Sequence, residues 1–345
     1  MWISVGLFIG TACAWIFIAP RLRRFSIAYN DSITIPQYLT NRFQSDNKLL
    51  LIICAVIFVV AYCIYAASSI SACGTLFNTV MGIDRNTAMI GAAVIIIVYT
   101  FLGGFNAVCW TDFFQGLLML AALMIAPIIA VITMQGAGFI APDVVIPDNY
   151  YNALISGSFD KTSVINIISG LAWGLGYFGM PHILLRFMAI EDDKKLKLSR
   201  RVASVWVVIA MAMAVLIGLV GRGLSSTGLI DSLHGNDTET VIVRVAGLLS
   251  THGVFPALMA GLILAGILAS TMSTADSQLL AAASSVSENI LRETLGLKIS
   301  EKKSMLAARI TVVIIAILGV VIARNPDSSV FGIVSFAWAG FGAAF

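Results

Sequence analysis

Four hydroxyl side chains lie close together near residue 273, inside a long apolar stretch. Ser270, Ser273, Thr274 and Ser277 recur at i, i+3, i+4 and i+7, which places them on one face of a helix. Hydroxyl and carbonyl oxygens suit a hard cation such as sodium. Such a stripe would supply two or three ligands, with carbonyls of a facing broken helix completing the shell. The alternative is that the hydroxyls bond to carbonyls of their own or a neighbouring helix.

A second candidate site is the stretch WGLGYFGMP, from Trp173 to Pro181, in the middle of another apolar segment. Three glycines and a proline there predict a broken helix. A membrane tolerates such a break only where the freed backbone groups face protein or a wet cavity, as in transporters built from discontinuous helices. The alternative is a tightly packed helix crossing. The hydroxyl stripe favours the first interpretation.

Asp112 and Asp276 are the only carboxylates predicted well inside membrane spans. An intramembrane charge costs about 2.5–3.5 kcal/mol at a helix centre, so it is normally retained for a function. We expect Asp276 to face a wet cavity beside the hydroxyl stripe. Asp112 is expected near the cytoplasmic end of the fourth span, where the alternative is an acid that only complements a helix N-terminus.

Aromatic and hydroxyl residues could line a small pocket near the break. Tyr65, Ser68 and Ser69 share one helical face, and Trp173 and Tyr177 lie within the break itself. Aromatic walls can contact an aliphatic ring or a cationic amine. Packing and anchoring at the membrane interface are the alternative for each aromatic residue taken singly.

Composition identifies the class of protein. The chain has 345 residues, of which 59% are hydrophobic and 11% are charged, too few charges to cover a soluble surface. The net charge of +3 does not indicate nucleic-acid binding, because the basic residues fall in loops. The five cysteines all lie inside apolar segments and the three histidines are scattered, so no disulfide framework or zinc site is predicted, and no cofactor is expected. The glycines of the break spell G-x-G-x-x-G, but a dinucleotide site needs a preceding strand.

Hydropathy predicts about nine spans of bilayer-crossing length in one transmembrane domain. They cover about 2–20, 49–80, 87–104, 107–134, 163–189, 201–225, 253–287, 304–323 and 328–345. Loops on one side carry 16 of the 21 basic residues, so that side is predicted to be cytoplasmic and residue 1 to lie outside. Outer loops are predicted at 135–162 and at 226–252, the second with a short helix from Glu239 to Leu249. The chain begins and ends within spans, so we expect it to be a fragment.

Five stretches together resemble the sodium:solute symporter family, and most closely its sodium/proline branch. They are RLRRFSIAYNDSITIPQYLTNRF (21–43), YTFLGGFNAVCWTDFFQG (99–116), WGLGYFGMPHILLRFMA (173–189), ILASTMSTADSQLL (267–280) and FAWAGFGAAF (336–345).

This resemblance implies an all-α, polytopic membrane protein with the inverted five-helix repeat of the leucine transporter, here truncated to about nine transmembrane helices. Residues 1–134 would be helices 2–5 of the first repeat. Residues 163–345 would be the second repeat, with its last helix cut. The broken first helix of the first repeat, which supplies further sodium and substrate contacts in the family, would be missing.

The resemblance also implies roles for single residues. The sodium ligands would be Ser270, Ser273 and Thr274. The proline-contacting surface would comprise Tyr65, Trp173, Tyr177 and Pro181. Asp112 matches an acid on the inner sodium path, whereas Asp276 stands where the sodium/proline type carries an uncharged residue.

The implied activity is sodium-coupled import of L-proline by alternating access in the bacterial inner membrane. The expected partners are L-proline, Na⁺ and lipid, with neither nucleic acid nor an obligate protein partner. The main alternative is a sodium symporter of another small solute, such as pantothenate, a sugar or a carboxylate. An intramembrane hydrolase is disfavoured because no span convincingly pairs a serine with a histidine or lysine. A channel is disfavoured because the polar groups form one cluster rather than rings along a pore.

Overall fold

The computed structural model describes residues 1–45, 48–136, 161–298, 300–325 and 329–345, and these residues contain helices and no strand. We number the helices in chain order. They are α1 (Trp2–Ala28), α2 (Ile35–Arg42), α3 (Leu49–Met81), α4 (Arg85–Gly136), α5 (Lys161–Ala172), α6 (Pro181–Met188), α7 (Asp193–Ser226), α8 (Val241–Ser250), α9 (Val254–Ser284), α10 (Glu301–Ala323) and α11 (Val330–Ala344).

The apolar helices correspond to the predicted spans. In the described part of the chain, six helices are long and apolar enough to cross a membrane, and the bent pair Lys161–Gly179 and Pro181–Met188 adds a seventh if the pair is counted as one span. Two shorter apolar helices, Arg85–Val98 and α11, fall where the remaining two spans were predicted. The membrane class predicted from composition is therefore supported span by span.

The first span continues beyond its predicted end at Pro20. A π-helical segment, Ala14–Ile18, interrupts α1, and Pro20 follows within the first two positions of the next helical stretch, Ala19–Ala28. The Ala19 N–H bonds to the Ala14 carbonyl in the π-helical pattern, so the missing N–H of Pro20 falls where the regular helical ladder is already interrupted. The helix that contains the first predicted span therefore continues through Pro20 to Ala28.

The boundary predicted between the third and fourth spans is not a helix end in the structure. Helix α4 is continuous for 52 residues, and the Asp84 carboxylate caps its start by accepting the Thr87 N–H at 3.0 Å. A straight helix of that length would measure about 78 Å, more than twice the hydrocarbon thickness. The apolar segments Arg85–Val98 and Ala107–Ile132 on either side match the two predicted spans. The side chains of residues 101–106 lie outside the described ones.

The outer loop 226–252 contains the helix predicted for it. A 3₁₀ segment, Gly235–Thr240, leads into α8, so the helix begins two residues later than expected. Most of the other predicted outer loop, residues 137–160, lies outside the described residues. Beyond α9 the chain continues as a π-helical segment, Ser285–Thr294.

Two buried clusters hold the bundle together. One joins α3 to the broken helix, α9 and α11, and it includes Tyr62, Phe58 and Phe341 with essentially no exposed surface. The other lies among α4, α7, α8 and α9 around Leu224, Leu249 and Ile263. Helix α3 and helix α9 thus form the centre of the fold, and both carry predicted site residues.

Candidate functional site

The apolar segment at 161–188 is broken where its glycines and proline predicted. Helix α5 ends at Ala172, and Trp173–Leu175 and Gly176–Gly179 form short helical turns. Met180 is extended (φ −76°, ψ 107°), and α6 begins at Pro181. The segments before and after the break are bent by 46°. Because a residue before proline is driven out of the helical region, the sequence Met180-Pro181 explains where the break falls.

Backbone groups at the break find partners on neighbouring helices. The His182 N–H donates to the Tyr62 hydroxyl on α3 at 2.8 Å. The Trp338 indole N–H on α11 donates to the Trp173 carbonyl at 2.8 Å. Unsatisfied backbone groups are costly in a membrane interior, so these side chains help to hold the interruption in place.

The glycines of the break also permit very close helix contacts. A Cβ built on Gly174 would meet the carbonyl of Gly6 on α1, and a Cβ on Gly179 would meet the carbonyl of Phe341 on α11. On Gly176 it would collide with the Trp338 indole. The structure therefore contains both the broken helix and the tightly packed helix crossing that was its alternative.

Aromatic side chains cover the break at Trp173 and Tyr177. Trp173 stacks on Phe331 with ring centroids 5.0 Å apart, and Tyr177 meets Trp338 edge-on at 5.2 Å. Tyr65 is buried in the same cluster against which Tyr177 and Trp338 pack. Each ring thus also packs against its neighbours, which was the alternative to lining a substrate pocket.

Pro181 is buried at the start of α6. The four residues predicted to contact substrate thus lie on the broken helix and on α3.

The hydroxyl stripe lies on α9, as predicted. Ser273 and Thr274 both donate to the carbonyl of Ser270, at 3.1 and 2.8 Å. Both hydroxyl protons are therefore used in bonds to the carbonyl of their own helix, which was the alternative to ion binding. A hydroxyl oxygen retains lone pairs after donating, so the same geometry leaves acceptor capacity for a cation.

The fourth hydroxyl of the stripe belongs to a network of charged groups. Ser277 donates to the Asp112 carboxylate on α4 at 3.1 Å and accepts from the Arg186 guanidinium on α6 at 2.8 Å. Arg186 also forms an ion pair with Asp112. One end of the stripe therefore meets the acid predicted for the sodium path, with a cationic side chain already in contact.

A cavity of about 720 Å³ adjoins this network. Its lining includes Arg186, Ser277 and Cys109 as well as Arg23, Arg292 and Glu301. The three arginines all belong to the set of basic residues that was predicted to be cytoplasmic. On the other predicted side, Arg85 and Arg244 line a separate polar pocket of about 380 Å³. Basic residues from the two predicted sides of the membrane thus line different cavities, which is consistent with the predicted orientation. We call the larger cavity the inner cavity.

The expectation that Asp276 faces a wet cavity is wrong. Its side chain is 0% exposed, and the inner cavity is lined by the next residue, Ser277, instead. Successive helical residues point about 100° apart, so Asp276 and Ser277 face different neighbours. Asp276 is buried within the bundle rather than along the cavity.

Arg186 was missed as a candidate because it was counted with the basic loop residues. It lies in the last turn of α6, and its guanidinium contacts Asp112 rather than pointing away from the bundle. The available signal was its position inside the predicted span 163–189. A cationic side chain inside a membrane span is a candidate functional residue for the same reason as a carboxylate inside a span.

Comparison with known proteins identifies the family. The sequence pattern of the sodium:solute symporter family matches residues 1–345. The high-affinity proline transporter PutP of Bacillus subtilis (strain 168) is 37% identical over 352 residues, which cover 100% of this chain and 70% of the relative. The sodium/proline symporter of Escherichia coli (strain K12) is 37% identical over 347 residues, covering 100% of this chain and 67% of the relative.

The chain belongs to the sodium:solute symporter family. This sodium:solute symporter spans about two thirds of the length of the curated relatives it matches. A solved structure of a Na⁺-coupled sialic acid symporter in a substrate-bound, outward-open state matches it with a TM-score of 0.70 at 19% identity. That match covers 94% of this chain and 67% of the other. The fold is therefore of the leucine-transporter type, and sodium is the coupling ion of the family.

Proposed function

We propose that this sodium:solute symporter imports L-proline together with Na⁺ by alternating access. The observation that carries the proposal is the identity of 37–38% along the whole chain to transporters named for proline. The candidate site adds a physical basis, because it combines an aromatic surface at a helix break with an oxygen-lined helix face. We infer the bacterial inner membrane as the location, in agreement with these bacterial relatives.

In this proposal the sodium ion binds at the hydroxyl stripe. Ser270, Ser273 and Thr274 supply oxygens, and the ion enters or leaves along Asp112. The back-bonded geometry of Ser273 and Thr274 is compatible with this assignment, since both hydroxyl protons are directed to the Ser270 carbonyl. Their lone pairs remain available to a hard cation.

The substrate then occupies the surface formed by Tyr65, Trp173, Tyr177 and Pro181. An aliphatic pyrrolidine ring packs well on aromatic faces, and its secondary ammonium is attracted to the negative face of an aromatic ring. Support comes from the shared buried cluster that brings Tyr65 of α3 together with Tyr177 of the break.

Coupling follows if sodium and substrate both favour the same conformation. Sodium bound to α9 would order the broken helix, and proline would then bind more tightly. Linkage requires that proline tighten sodium binding by the same factor. A typical coupling of 1–3 kcal/mol corresponds to about 5–150-fold in affinity. The membrane potential adds about 2.3 kcal/mol per charge per 100 mV to the driving force.

Uptake into proteoliposomes tests the proposal. With an inward sodium gradient, we expect accumulation of radiolabelled L-proline. We expect little accumulation when choline replaces sodium. Equal uptake in both buffers would refute sodium coupling.

Unlabelled pantothenate, glucose and lactate at tenfold excess should leave proline uptake unchanged. Sodium-driven uptake of one of these solutes in place of proline would support the alternative, a sodium symporter of another small solute.

A further inference from the structure

Arg186 occupies the place of a cation beside Asp112. Its guanidinium contacts both the Asp112 carboxylate and the Ser277 hydroxyl, while Ser277 donates to the same carboxylate oxygen. A carboxylate and a hydroxyl at this spacing are oxygen ligands of the kind a sodium ion uses. In the structure, a side chain of the protein supplies the positive charge.

The surroundings of the two charged groups differ. The Asp112 side chain is 14% exposed, and its second oxygen, Oδ1, is buried without a hydrogen-bond partner among the described residues. The Arg186 side chain is 44% exposed and lines the inner cavity. The carboxylate is therefore fixed within the bundle, whereas the guanidinium has open space on the cavity side.

Arg186 and a sodium ion cannot both neutralise Asp112 without repelling each other. Two like charges in contact with the same carboxylate repel each other, and a partly buried site screens that repulsion less than water does. An arriving ion must therefore displace the guanidinium toward the cavity, or the guanidinium must displace the ion. Because Arg186 is attached to α6, it competes at a high effective concentration that dilution of sodium does not change.

We propose that Arg186 is a tethered competitor for sodium at Asp112, which promotes release of the ion into the inner cavity and keeps the carboxylate neutralised once the ion has left. The inference rests on the proposed sodium symport and adds to it a residue that sets ion affinity on the inner side. A fixed structural ion pair would make a different prediction, since its loss would weaken sodium binding or leave it unchanged.

Direct binding of ²²Na⁺ to the purified protein tests this without requiring transport. We expect Arg186→Gln, which keeps hydrogen-bond donors but no charge, to lower the half-saturating sodium concentration by about tenfold. Arg186→Lys should stay within about threefold of the parent protein. Arg23→Gln is the matched control, because Arg23 lines the same cavity and donates to the Met188 carbonyl rather than to Asp112. It should change affinity by less than about twofold.

Net uptake supplies a second measurement. Arg186→Gln should slow sodium-driven net proline uptake several-fold while retaining sodium-dependent exchange of internal for external proline, because only net uptake requires the ion-free protein to return. Unchanged or weaker sodium binding in Arg186→Gln would overturn the inference while the proposed symport stands. Absence of sodium binding by the parent protein would instead overturn the proposed function, and the inference with it.

A neutral pair tests the inference should Arg186→Gln fail to fold. Asp112→Asn and the double variant Asp112→Asn/Arg186→Gln leave no carboxylate for which Arg186 could compete. Their half-saturating sodium concentrations should agree within about twofold. Tighter binding in the double variant would show that Arg186 acts elsewhere and would overturn the inference.

Discussion

The Ser277 hydroxyl on α9 donates a 3.1 Å hydrogen bond to the Asp112 carboxylate on α4. This contact joins the hydroxyl stripe to the acid predicted for the inner sodium path, although 165 residues separate them in the chain. Thr274 lies one helical turn before Ser277, about 4.5 Å along the axis. An ion leaving the stripe would therefore meet Asp112 within a single turn of α9.

The first prediction concerns the sodium ligands. In the full-length protein, Ser273→Ala and Thr274→Ala should each raise the sodium concentration for half-maximal proline uptake about tenfold, because each removes an oxygen ligand and 1.4 kcal/mol corresponds to a factor of ten. Thr274→Ser should remain close to the parent protein. Thr311→Ala is the control, since Thr311 back-bonds to its own helix at 2.9 Å on α10. Unchanged sodium dependence in both alanine variants would remove the stripe as the ion site.

The second prediction concerns the substrate surface. Trp173→Ala and Tyr177→Ala should raise the proline concentration for half-maximal uptake, each by about tenfold, because an aromatic contact that desolvates the substrate is lost. Trp110→Ala is the control, as that ring is 67% exposed on α4 and stacks on Phe114. Uptake kinetics at saturating sodium measure the effect. Parent-like proline competition in both variants would argue against this pocket.

The third prediction concerns the hydrogen bond that supports the break. Tyr62→Phe removes the acceptor of the His182 N–H, so it should lower the free energy of unfolding by about 1–3 kcal/mol. Tyr38→Phe is the control, since its hydroxyl accepts from Arg42 on the same helix at 2.7 Å. Thermal melting of the detergent-solubilised proteins compares them. Equal melting temperatures for the two variants would mean that Tyr62 does not stabilise the interruption.

The fourth prediction concerns the close contact of the break with α11. Gly179→Ala should destabilise the protein by about 1–3 kcal/mol and reduce uptake, because the added Cβ would meet the Phe341 carbonyl. Gly340→Ala, on the facing helix, places its Cβ in open space and should be neutral or slightly stabilising. Melting temperature and uptake rate distinguish the two variants. A neutral Gly179→Ala would contradict the contact.

Much of this architecture could be predicted from the sequence because apolar length and glycine or proline content have direct structural meaning in a membrane. The break at Trp173 to Pro181 followed from the conformational limits that Pro181 imposes on Met180. At Pro20, by contrast, the helix continues, because the proline adjoins a π-helical segment that already interrupts the regular hydrogen-bond ladder. Local composition does not distinguish those two outcomes when a π-helical segment precedes the proline.

The contacts between distant residues were less accessible. The hydroxyl stripe could be recognised from its spacing on one helix, but its link to Asp112 depends on how α4 and α9 pack. Arg186 and Asp276 were both misjudged for this reason. Their charges are visible in the sequence, whereas the direction in which each side chain points depends on helix rotation within the bundle.

The crossing of α1 with the broken segment has a mechanical consequence. Gly6 and Gly10 of α1 and Gly174 of the break meet backbone to backbone, with no side chain between them. Flexible side chains at a helix interface can change rotamer and absorb small displacements, but peptide groups in direct contact have no such freedom. A tilt of α1 would therefore move the residues around Trp173 by a similar amount, and the two segments would move together as a rigid body.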